Sequence, residues 1–147
     1  MKKIFLLGAI ILLINDLSFG QSKGSCSVVL CSEVKENERG NTQINNVFTG
    51  FSANAVGSTV KFIAYIRFQN YSLNQVHKFY ITLENDATGE KIIDNSDRQN
   101  PFSLFKKQAV YAHQSILKVN FPKEGIYRLR VYVDDKEEES LYMEIGD

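Results

Sequence analysis

From Ser27 onward, apolar residues alternate with polar ones in one short run after another, and this period of two constrains the fold more than any other feature of the chain. Successive side chains of a β-strand point to opposite faces, so each run predicts a strand with one buried side. Thr59 to Phe68 is the clearest. Phe62, Ala64, Ile66 and Phe68 take one face, while Lys61, Ile63, Tyr65 and Arg67 take the other. Val76 to Glu84 repeats the pattern with Phe79, Ile81 and Leu83, and Ile116 to Phe121 with Leu117, Val119 and Phe121. The strand after Gly125 aligns Tyr127, Leu129, Val131 and Val133, and the last one Leu141, Met143 and Ile145. No segment after Gln21 sustains a period of 3.6 residues, although Ser103 to Tyr111 leaves room for a helical turn.

Turn chemistry separates these runs. Ser27 to Val34 and Thr42 to Ser52 are expected to pair across the polar Lys35–Asn41 loop, where Gly40 permits the reversal. Asn85 to Gly89 leads into a short strand, Glu90 to Asp94, and Asn95 to Pro101 is a loop. Phe121-Pro122-Lys123-Glu124-Gly125 has proline where a type I turn fixes φ and glycine where a left-handed residue closes a hairpin. Asp134 to Glu139 is a charged turn. About eight short strands in one domain predict an all-β, immunoglobulin-like, two-sheet antiparallel sandwich. A small β-barrel is the alternative, because strand count does not separate the two.

The first residues differ. Met1-Lys2-Lys3 and the unbroken apolar run Ile4 to Ile14 form the basic and hydrophobic parts of a secretory signal. The run falls short of the roughly 20 apolar residues that span a bilayer. Ser18 and Gly20 supply small residues before a cleavage point, so residues 1–20 are assigned to the signal and 21–147 to one exported domain, periplasmic or secreted. Lipid attachment at Cys26 is disfavoured, because Lys23 stands where such a site carries an apolar residue. Without Lys2, Lys3 and Asp16, the 17 basic residues become 15 and the 17 acidic ones 16, a net charge of −1. Nucleic acid is an improbable partner for a surface without a basic cluster.

Cys26 and Cys31, the only cysteines, leave two alternatives open: a disulfide, for which Cys26 must fold back at the strand's start, or a buried Cys31 with Cys26 free in the terminus.

Two stretches carry a family likeness. Val29-Leu30-Cys31-Ser32-Glu33 with Ile44-Asn45-Asn46-Val47-Phe48, and Phe121-Pro122-Lys123-Glu124-Gly125-Ile126-Tyr127-Arg128-Leu129, resemble the opening hairpin and a late turn and strand of small bacterial immunoglobulin-like domains of unknown function. The resemblance implies a fold and no activity.

The catalytic inventory is thin. His77 and His113 are the only histidines, neither lies at ligand spacing from a cysteine, a carboxylate pair or the other, and no Gly-x-Ser-x-Gly elbow is present. No catalytic residue, metal site or cofactor is assigned. The acidic run from Asp134 to Glu139 lacks the spacing and glycine of a calcium loop and is expected to be solvated. What stands out is aromatic: Tyr65, Tyr80, Tyr132 and Tyr142 all fall out of phase with the inward residues of their strands, as do Arg67, Arg128 and Arg130. Tyrosine with arginine supplies contact area in protein interfaces, and tyrosine rings stack on sugars. The expectation is a non-catalytic module binding a protein or glycan outside the cytoplasm. A small secreted hydrolase and a structural subunit of an envelope assembly are the alternatives.

Overall fold

The computed structural model describes residues 23–146, and the expected signal segment lies outside them. Ten strands follow one another: β1 (Ser25–Glu36), β2 (Thr42–Val47), β3 (Gly50–Phe51), β4 (Thr59–Gln69), β5 (Val76–Asn85), β6 (Lys91–Asp94), β7 (Asn100–Ser103), β8 (Val110–Asn120), β9 (Gly125–Val133) and β10 (Lys136–Ile145). They form a four-stranded sheet, β2-β1-β4-β8, and a six-stranded one, β3-β10-β9-β5-β6, with β7 also paired to β5. Neither sheet closes on itself, so the molecule is a sandwich and not a barrel. The pair β4-β8 facing β10-β9-β5 is the frame of an immunoglobulin-like domain.

The inward phases hold throughout. Leu30, Phe62, Ala64, Ile66 and Phe68 of one sheet meet Phe79, Leu83, Tyr127, Leu129, Met143 and Ile145 of the other, all essentially without solvent exposure. Each large side chain removed from water in this way contributes about 1.5–3 kcal/mol. Phe68 and Phe102 stack at 4.4 Å between centroids.

Three expectations are corrected. The strand expected over Thr42 to Ser52 breaks after Val47, and the chain crosses to the other sheet, where Gly50 and Phe51 pair in parallel with Glu144 and Ile145. Phe51 is drawn there by Phe48, Phe62 and Phe121, whose rings lie 4.7, 5.5 and 6.0 Å away. The Phe121–Gly125 turn closes no hairpin, because β8 and β9 belong to different sheets. Its job is to carry the chain between layers, and Tyr127 fixes the corner by donating its hydroxyl to the Lys123 carbonyl at 2.8 Å. Ser103 to Tyr111 holds no helical turn; β7 ends at Ser103 and a tight Phe105–Gln108 reversal leads into β8.

The charged turn is shorter than its composition suggests. Val133 pairs with Lys136 across a two-residue hairpin in which Asp134 and Asp135 both take positive φ, 50° and 64°. The glutamates after it already belong to β10.

Candidate interaction face

Phase decides which side of a strand a residue takes, and pairing decides which sheet carries it. Tyr80 of β5 lies directly opposite Tyr132 of β9, and their rings stack at 4.7 Å with 6° between planes. Two residues along, Thr82 faces Arg130, and then Glu84 faces Arg128. On the other flank of β9, Arg128 is opposite Tyr142 of β10, with its guanidinium 5.4 Å from the ring centroid. Tyr80, Tyr132, Tyr142, Arg128 and Arg130 therefore form one continuous patch on the outer face of the six-stranded sheet.

The charges on this patch cancel locally. Arg130 binds Glu137 at 2.8 Å and Glu84 at 2.5 Å, while Arg128 binds Asp86 at 2.9 Å. Burial opposes the charge on Arg130, but Glu137 and Glu84 outweigh it and push the guanidinium pKa further up. Between these pairs the face offers apolar area to solvent: Tyr142 is 53% exposed and Ile126, on the same face, 42%, with the exposed Lys78 and Glu144 at its margins.

Tyr65 and Arg67 belong elsewhere. Both lie on the outer side of the four-stranded sheet, and Tyr65 is only 7% exposed, so it is not part of an exposed aromatic surface. Pairing of β1 with β4 stops at Cys31, and beyond it the first hairpin leans over this face. Gly40, Thr42 and Ile44 then line one concavity with Tyr65, Arg67, Val110 and Ala112.

The cysteines are both free thiols within β1, so the disulfide is not realised. Five steps along one strand put them on opposite faces: Cys26 pairs beside inward Phe68, Cys31 beside outward Ile63. Cys26 is not in a loose terminus either. Burial, with Glu139 and Glu138 nearby, pushes its thiol up to about 12. Cys31 is fully buried, and burial raises its pKa as well, against a backbone hydrogen bond near Glu33.

His77 is buried. Its ring is buried between Tyr71 and Phe102, 5.2 and 5.3 Å away, and Nδ1 lies 2.7 Å from Asp134 Oδ2. Asp134 Oδ1 accepts from the Lys78 backbone N–H at 3.0 Å. Burial alone would raise the Asp134 carboxyl, but His77 and the Lys78 amide hold it below the usual carboxylate range. The second nitrogen, Nε2, faces the Ser72 carbonyl oxygen at 3.4 Å, an acceptor and not a hydroxyl awaiting activation. A pocket beside the ring is lined by Lys23, Gly24, Asn70, Tyr71, Ser72 and Leu73. Nothing in the sequence connected His77 with a residue 57 positions away in a turn.

His113 faces the inter-sheet space, 4.9 Å from Phe79, and burial lowers its pKa. Of the acidic run, Glu137 binds Arg130, Glu138 binds Lys136 and Asp135 accepts from Gln99 Nε2, so these side chains are spoken for by the protein. Among the described residues no three His, Cys, Asp or Glu side chains group as a metal site.

The class that fold and face define is a small immunoglobulin-like sandwich with one aromatic outer face. Residues 26–146 match the model of DUF6941, a family of unknown function, and the chain belongs to that family. No curated protein matches it. Among solved structures, it is similar to an X-ray structure of a candidate lipoprotein from Bacillus anthracis, with 11% identity over 79% of this chain and 85% of that one, at a TM-score of 0.38. Among the described residues, no helix is long and apolar enough to cross a membrane.

Proposed function

We propose that this protein is a non-catalytic binding module working outside the cytoplasm, and that it engages a protein or glycan through the outer face of the six-stranded sheet. One observation carries the proposal: three tyrosines and two arginines from three adjacent strands share that face, with the arginines already neutralised by Glu84, Asp86 and Glu137. Lys78, exposed two residues before Tyr80, is the one cation near the tyrosines without an ion-pair partner among the described residues. The exposed Tyr142 ring, beside the half-buried Tyr80–Tyr132 stack, suits the flat face of a sugar or the apolar centre of a protein interface. The basic start and apolar run of residues 1–14 support export.

A small secreted hydrolase draws on the pair of buried His77 and exposed Asp134. It is the weaker proposal, because the free end of the ring meets a carbonyl and no serine hydroxyl.

The test is binding by three proteins: native, the double variant Tyr132→Ala/Tyr142→Ala, and Arg67→Ala on the opposite sheet. Each is offered to a glycan array and to detergent-solubilised envelope proteins. Retention of a ligand by the native protein and Arg67→Ala, with loss in the double variant, is expected. Equal retention by all three, or by none, would overturn the proposal.

A further inference from the structure

A sheet edge presents unpaired N–H and C=O groups, and proteins guard such edges with short strands, charge, proline or bulges. Most edges here are guarded. β3, β6 and β7 are two, four and four residues long, and β7 contains Pro101. β10 reaches beyond β3 with Lys136, Glu137, Glu138 and Glu139 and a register shift between Glu137 and Glu139. β2 has six residues, with Asn46 at a φ of 51°.

β8 is different. It is the terminal strand of its sheet and eleven residues long, and it pairs with β4 in unbroken register from Thr59↔Asn120 to Gln69↔Val110. It contains no proline and no bulge, and Lys118 is its only permanently charged residue. Among the described residues no strand is hydrogen-bonded to its second side, and only β6 of the facing sheet comes near it.

We propose that this edge joins two copies of the chain, β8 antiparallel to β8 about a two-fold axis at Ser115, making one eight-stranded sheet from two four-stranded ones. Only a register whose paired residue numbers have an even sum keeps inner faces inner, since a one-residue slip reverses every side chain. Centring on Ser115 is the one such choice that pairs all eleven residues.

That register is self-complementary. The half-buried Tyr111 and His113 of one copy meet the apolar Val119 and Leu117 of the other. On the outer side, Gln114 faces Ile116, which is 60% exposed in the single chain, and Lys118 faces Ala112, so no like charges oppose each other. A two-fold contact of this kind closes at two subunits.

Two measurements decide it. Sedimentation equilibrium of the purified protein should give a dimer that dissociates on dilution. In Gln114→Lys/Ile116→Lys, lysine stands opposite lysine twice, and the protein should be monomeric with an unchanged circular dichroism spectrum. Separately, Ser115→Cys should cross-link to itself on mild oxidation, with Gln114→Cys doing so several-fold less. A monomer at all concentrations, a dimer indifferent to the lysine pair, or equal cross-linking at the two cysteine positions would overturn the proposal. Binding of an unrelated peptide at a monomer's edge would also overturn it.

Discussion

At the scale of single residues, the pair His77–Asp134 gives the sharpest test. A carboxyl held below its unfolded value, about 3.9, adds stability above that value and loses it as pH falls through the folded one. Urea unfolding at about pH 5.5 should therefore find the native protein more stable than Asp134→Asn, with the gap narrowing at about pH 3. An equal gap at both would mean that the charge on Asp134 contributes nothing. On the aromatic face, Glu84 is buried with Arg130 as its partner. Arg130→Ala should cost about 2 kcal/mol by removing the nearer of that carboxylate's two arginines, Arg128 remaining at 3.9 Å, and Arg130→Met with Glu84→Leu should recover most of the loss. The thiols give a third test: neither Cys26 nor Cys31 should react readily with a thiol reagent in the folded protein, and both should react after unfolding without reductant. Failure to release two thiols would restore the disulfide. The outward phase of the tyrosines was legible in the sequence because it needs only the period of two. Which sheet carries each was not, because parity names a face and says nothing of the neighbouring strand, and so Tyr65 was grouped with residues it never approaches.

At the scale of elements, the strands themselves were legible wherever alternation ran beyond about five residues, as in β4, β5 and β9. What failed were the crossings between sheets. Gly50, inside the strand expected over Thr42 to Ser52, instead lets β3 lie against β10: a β-carbon there would collide with the Glu144 carbonyl oxygen. Gly50→Ala should lower stability by about 2 kcal/mol or more and free β3 from its partner, which amide exchange at Glu144 and Gly146 would report. Unchanged exchange would place β3 elsewhere. The Pro122–Gly125 turn was recognised by its residues and misjudged in its destination, since a hairpin and an interlayer corner use the same proline and glycine. Tyr127 distinguishes them. Tyr127→Phe removes one buried hydrogen bond while keeping the ring and should cost about 1 kcal/mol in chemical denaturation; a neutral outcome would show that the corner is held by packing alone.

At the scale of the whole molecule, two sheets divide the candidate residues into unequal sets. The four-stranded sheet has its outer face sheltered by the first hairpin and keeps an open edge at β8. The six-stranded sheet keeps an open face and, for the most part, guarded edges. One surface is thus suited to a ligand and the other to a second copy, and the two do not compete for the same strand. Membership in DUF6941 fixes the family and leaves the chemistry to this division. The most direct measurement of the central claim is hydroxyl-radical footprinting of the tyrosines in the presence and absence of envelope extract. Tyr142 and Tyr132 should lose several-fold in modification when the extract is added, while Tyr65 and Tyr111 stay unchanged. Undiminished modification of Tyr142, or protection confined to the four-stranded sheet, would contradict the assignment of the binding face.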